Sequence, residues 1–203
     1  MNELYAAVIH DVKNQLAELA LRLGERPDAQ QEMNIAMNAA RRLSEMLLAV
    51  RQESEQLSVT PDSVDTADFL SILSAEYREL FPALTIDIDT AHAPAFAFFD
   101  DALVRLALSN AVHNACRSAK RHVKLAAREQ DRMLVLEVAD DGPGFPDAML
   151  ANMGDTPTSA SSRGTGLGLY LARKIAELHE LEGRCGRIEL SNNGGAVFRM
   201  FLP

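Results

Sequence analysis

Two apolar seams with coiled-coil spacing open the chain. Tyr5, Ile9, Val12, Leu16, Leu19 and Leu23 follow one another at intervals of 4, 3, 4, 3 and 4 residues, which marks a helix that buries one stripe against a partner. "GERPD" (Gly24 to Asp28) then combines a helix-ending glycine with a proline suited to a new start. A second seam runs through Met33, Ala36, Ala40, Leu43, Leu47 and Val50, and Leu57 continues it. The short turn makes the two helices antiparallel neighbours. Two helices alone bury too little, so the hairpin is expected to pair with a second copy into a four-helix bundle. That predicts a homodimer.

Beyond Leu57 the texture changes. The polar, proline-containing "SVTPDSV" (Ser58 to Val64) carries no period, and it divides the chain into a hairpin at 1–57, a linker at 58–63 and a second domain at 64–203. In that domain the patterning predicts a helix over 66–80, a strand over 84–89 and a helix over 100–118. Two strands flank "QDR", a helix covers 168–181, and a closing hairpin turns at "NNGG". Helices and mostly antiparallel strands, segregated rather than alternating, point to an α/β sandwich. The expected fold class is therefore α+β.

Charge and cysteine content narrow the function classes. A formal net charge of −9 disfavours nonspecific nucleic-acid binding and docking on an anionic membrane. Cys116 and Cys185 form neither a disulfide framework nor a metal-ligand spacing, which points to a reducing compartment. Neither a signal peptide nor an apolar run of membrane-spanning length is present. The expectation is a soluble, cytoplasmic chain.

Four stretches could carry chemistry. In "HDVKN" (His10 to Asn14) the histidine projects away from the seam, with Asn14 one turn on along the same outward face. The ring is either an incidental surface group or a reactive nucleophile, with Asp11 orienting it or accepting its proton. In "NAVHNACR" (Asn110 to Arg117), Asn110 and Asn114 share a helix face inside an apolar segment. They bridge neighbouring elements, or else their carboxamide oxygens help hold Mg²⁺ against nucleotide phosphates, with Arg117 pairing with a phosphate.

"DDGPG" (Asp140 to Gly144) follows a strand. It is a turn, or a site where Gly142 and Gly144 admit a flat ring while Asp140 accepts a hydrogen bond from an exocyclic amine. "GTGLGL" places Gly164, Gly166 and Gly168 ahead of an amphipathic helix. That arrangement is either structural or an anion site built from bare amides and the helix dipole.

Taken in order, these boxes resemble the sensor histidine kinases of two-component signalling, over nearly the whole chain. "HDVKN" resembles the phosphoacceptor box, "NAVHNACR" the asparagine box, and "DDGPG" and "GTGLGL" the two glycine boxes. The resemblance implies that His10 is the phosphoacceptor, Asp11 its acidic neighbour, and Asn14 a residue used in dephosphorylating the partner. It implies Mg²⁺-side roles for Asn110 and Asn114 and a phosphate contact for Arg117. Asp140 matches the adenine-reading aspartate, and Gly142, Gly144, Gly164, Gly166 and Gly168 match the glycines of the pocket and its lid hinges. ATP and Mg²⁺ are the implied cofactors, and a response regulator receiver domain is the implied partner.

The chain departs from the family pattern at three points. Gln15 stands where a proline often follows the histidine, so no kink is expected there. No clear phenylalanine box lies between Gly144 and Gly164. Nothing before residue 1 could sense a signal, so input arrives from a separate sensor protein, or the chain is the kinase end of a longer receptor. The expected function is autophosphorylation of His10 from ATP and transfer to a regulator aspartate. The alternatives are a phosphotransfer adaptor with a second domain that does not bind ATP, and a serine kinase or ATPase using the same pocket.

Overall fold

The computed structural model describes residues 58–152 and 167–203, together with single positions between 12 and 43. The chain divides into two compact units, Met1–Leu57 and Ser58–Pro203. In the first, the described positions on either side of Ala29 are helical. Ala29 and Ala36 are buried, whereas Val12 and Leu19 are 40% and 47% exposed. The "GERPD" turn lies outside the described residues.

The second unit begins with β1 (Asp62–Asp65), which takes two residues expected as linker into a strand. Then come α1 (Thr66–Leu80), β2 (Thr85–His92), β3 (Phe96–Phe99), α2 (Asp101–Ser118), β4 (His122–Gln130), β5 (Met133–Asp140) and α3 (Asp147–Asn152). After the undescribed stretch follow α4 (Leu167–Leu178), the small ribbon β6 (Glu180–Leu181) and β7 (Arg184–Cys185), β8 (Arg187–Asn192) and β9 (Ala196–Leu202). Five strands form one sheet in the order β2-β4-β5-β9-β8. Only the β2–β4 pair is parallel, and β1 and β3 make a separate antiparallel ribbon.

Helices α1, α2 and α4 pack on one sheet face, forming the two-layer α/β sandwich that the segregation of helices and mostly antiparallel strands predicts. Asp65 starts α1 by accepting from the amides of Ala67 and Asp68, each at 3.0 Å, which satisfies two donors that the first helical turn leaves open. The Tyr77 hydroxyl ties α1 to α2 by donating to the Ser109 carbonyl at 2.7 Å. Between helices and sheet lie Phe69, Leu73, Leu108, Leu125, Leu136, Leu171, Ile175 and Met200, all nearly inaccessible.

The opposite sheet face carries charged side chains around a small buried cluster of Met133, Val135 and Phe201. On it Glu137 accepts from Arg199 at 2.6 Å and from Arg128 at 3.2 Å, and the Arg187 guanidinium lies 3.8 Å over the Phe201 ring. Long cationic stems can cover apolar strand residues while their heads stay wet. Among the described residues, no helix is long and apolar enough to cross a membrane.

Candidate functional site

Helix α2 builds one wall of the site. Its cap is Asp100, whose Oδ1 accepts from the Leu103 amide at 3.0 Å, and Arg117 stands in the last turn where the helix dipole favours a cation. The apolar stripe Val104, Ala107, Leu108, Val112 and Ala115 is buried, and it takes Asn110 down with it to 2% exposure. Asn114 and Arg117 remain exposed. Gly168, at the start of α4, comes so close that a Cβ there would sit 3.2 Å from the Asn110 side chain. Helix α2 and the start of α4 therefore meet at Asn110.

Strand β5 delivers the carboxylate. Side chains alternate along a strand, so Leu134, Leu136, Val138 and Asp140 share the helix-covered face. Asp140 is 9% exposed, and its Oδ1 accepts from the Gly142 amide at 2.7 Å and the Ala196 amide at 3.3 Å. Both bonds fall on the same oxygen, and among the described residues none donates to Oδ2. Two backbone approaches hold this corner. A Cβ at Gly142 would lie 2.3 Å from the Ser118 carbonyl oxygen, and one at Gly195 only 1.8 Å from that of Asp140. The demand for glycine at 142 thus comes from the chain's own backbone.

Asp141 faces the other way, as its place in the alternation requires. It accepts from the amides of Lys120 at 2.7 Å and Arg121 at 3.1 Å. The Arg121 amide, joined by those of His122 and Lys120, holds its carboxyl below the usual carboxylate range. The two adjacent aspartates divide the work, one facing the site and one pinning the α2–β4 loop. Gly144 has φ +85°, a conformation that glycine adopts without strain. Beside it Asn192 clamps Phe145: its Oδ1 accepts from the amide at 2.8 Å, and its Nδ2 donates to the carbonyl at 3.0 Å.

Cys116 lies buried on α2. Its thiol is pushed up to about 12 by burial, with the Asp140 charge adding in the same direction.

The structure thus gathers Asn110, Asp140, Gly142, Gly144 and Gly168 into one unit, with Asn114 and Arg117 on the exposed side of α2. His10, Asp11, Asn14, Gly164 and Gly166 lie outside the described residues. Sequence reasoning missed Asn192, Gly195 and Asp141. "NNGG" reads as a turn, and only the pairing of β8 with β9 shows that its ends brace the aspartate corner. Helix α4 stops at Leu178, short of the expected 181, because the chain turns at His179 into the β6–β7 ribbon. The Gly186 amide closes that ribbon on the His179 carbonyl at 2.8 Å. Among the described residues, no cluster of three His, Cys, Asp or Glu side chains could hold a metal by itself.

Residues 99–203 match the profile of the histidine kinase-, DNA gyrase B- and HSP90-like ATPases. The chain belongs to this ATPase family. Among full-length relatives it is similar to the sensor protein kinase PilS of Pseudomonas aeruginosa, with 29% identity over 98% of this chain and 40% of that protein. It is also similar to the histidine-protein kinase AfsQ2 of Streptomyces coelicolor, with 28% identity over 87% of this chain and 34% of that one. The chain thus spans less than half the length of either relative, and it stands among the sensor histidine kinases of the family. Of solved structures, full-length ShkA in complex with AMPPNP superposes with a TM-score of 0.66, at 20% identity, over 99% of this chain and 45% of that one. The catalytic domain of the histidine kinase ThkA superposes with 0.61, at 20% identity, over 72% of this chain and 96% of that one.

Proposed function

We propose that the chain is the core of an ATP-dependent histidine kinase that phosphorylates its own His10 and passes the phosphoryl group to an aspartate of a response regulator. The observation that carries this reading is the corner itself: a buried carboxylate with one oxygen tied down and one available, beside an asparagine-bearing helix and the glycine that opens α4. An oxygen that only accepts suits the exocyclic amine of adenine. Asn110, Asn114 and Arg117 lie along α2, where carboxamide oxygens fit a hard cation shared with phosphates and a guanidinium fits a phosphate. No acidic cluster competes for that cation among the described residues, so Mg²⁺ arriving with the nucleotide fits this donor set. When bound, the ion neutralises phosphate charge.

The work of the chain's own residues is positioning. Asp140 orients the base, and α2 and α4 present donors to the phosphates. His10 supplies the imidazole nitrogen whose lone pair takes the γ-phosphorus as the bond to the β-phosphate oxygen breaks. Asp11 keeps the other ring nitrogen protonated. Asn14, one turn on, places water for dephosphorylation of the regulator. Residues 1–57 form the dimerising hairpin, and 64–203 the catalytic domain. Val12 and Leu19 belong to the seam, and their exposure in the single chain supports a second copy there. The reaction belongs on the cytoplasmic side, where ATP is.

The test is incubation with γ-labelled ATP and mapping of the modified residue, with His10→Gln alongside. Acid-labile label on His10, absent from the variant, is expected. Label retained on the variant at the wild-type level removes the assignment. A protein that never binds nucleotide in calorimetry is the phosphotransfer adaptor instead.

A further inference from the structure

His179 lies at the far end of α4 from the glycine boxes, yet it is 4% exposed and both ring nitrogens are engaged. Its Nε2 is 3.0 Å from the Asp100 amide and its Nδ1 is 2.7 Å from the Ile175 carbonyl. An amide only donates and a carbonyl only accepts, so Nδ1 carries the proton and Nε2 the lone pair. Asp100 is the cap of α2, and its Oδ2 also accepts from the Thr60 amide at 3.0 Å. The ring therefore fastens the end of α4 to the start of α2.

The same two helices touch again at Gly168 and Asn110. On each helix the two attachment points are separated by about ten residues, roughly 15 Å at 1.5 Å per residue. Two rods joined at one point can still slide and swing. Joined at two points 15 Å apart, they are fixed in both register and crossing angle. The first turn of α4, whose amides face the expected phosphates, then holds a set position against Asn110 and Asn114. An apolar side chain would fill the same volume at less desolvation cost, but it would leave the Asp100 amide without its acceptor.

We infer that His179 is a positioning residue for the nucleotide site, setting the phosphate end of the pocket through the α4–α2 register while leaving the adenine end to Asp140. This rests on the ATP-binding reading above. Its role is distinct from general stabilisation, because it predicts a loss confined to the phosphates.

The experiment uses two amides in the full chain. His179→Asn keeps a donor near the Ile175 carbonyl but is too short to accept from the Asp100 amide, whereas His179→Gln reaches it. Calorimetry with Mg²⁺ compares ATP with adenosine. His179→Asn is expected to weaken ATP about tenfold and leave adenosine within about twofold, with His179→Gln close to wild type. Equal ATP-to-adenosine ratios in wild type and His179→Asn overturn the inference, as does equal loss in both variants. Wild type that binds neither ligand overturns the nucleotide reading and takes the inference with it. If circular dichroism finds His179→Asn unfolded, His179→Phe replaces it with the same expectation. If that variant is unfolded too, the ring holds the whole fold and the positioning role is refuted.

Discussion

Asn192 grips the backbone of Phe145 with both ends of its carboxamide, accepting at 2.8 Å and donating at 3.0 Å. This clamp joins the end of β8 to the turn that follows Asp140. Asn192→Asp keeps the acceptor, loses the donor and sets a carboxylate against the Phe145 carbonyl. The variant is expected to lose about 1–3 kcal/mol of stability and to bind ATP more weakly. Urea unfolding and calorimetry check both, and an unchanged midpoint means the clamp holds nothing.

Asp140→Asn separates binding from folding. The amide can still present an oxygen to the Gly142 and Ala196 amides, but its NH2 then confronts the adenine amine, donor against donor. A hydrogen bond to a charged group is worth roughly 1.5–3 kcal/mol, so ATP affinity should fall about 10- to 100-fold. The melting temperature should move little. An unchanged dissociation constant would show that "DDGPG" is only a turn.

The two thiols should behave oppositely. Cys185 is exposed, and Cys116 is buried with its thiol pushed up to about 12. Maleimide at neutral pH should label Cys185 and spare Cys116 until the protein unfolds. The sign for stability follows from the same shift. Between the ordinary thiol value of 9.0 and about 12 the folded state retains a proton that the unfolded state has released. Stability contributed by Cys116 is therefore complete below that window and is lost as pH rises through it. Cys116→Ser should flatten this alkaline slope in denaturant titrations.

Thr66 should be replaceable at a gain. It is fully buried at the start of α1, and its Oγ1 has no hydrogen-bond partner among the described residues. Thr66→Val keeps the shape and removes the hydroxyl, so about 1 kcal/mol of stabilisation is expected, or roughly 2–4 °C in Tm. A lower Tm by calorimetry would show that the hydroxyl is satisfied in solution.

By itself the sequence determined what depends on neighbours a few residues apart. Helical period placed α1 and α2 to within a residue, because each needs only its own cap and apolar stripe. Strand patterning in "MLVLEVAD" placed "DDGPG" at a strand end. Tertiary structure decided what depends on pairing across long stretches of chain. "DSVD" and "FAFF" pair as β1 and β3 although 30 residues lie between them, and neither alternates strongly enough to announce a strand.

The glycine demand at Gly195 comes from the Asp140 carbonyl, 55 positions earlier in the chain. The partner of His179 sits at Asp100, 79 positions away. Side-chain periodicity is a property of the local backbone and can be read along the chain. A ladder partner, a close backbone approach or a buried imidazole's acceptor role exists only once distant segments have been brought together.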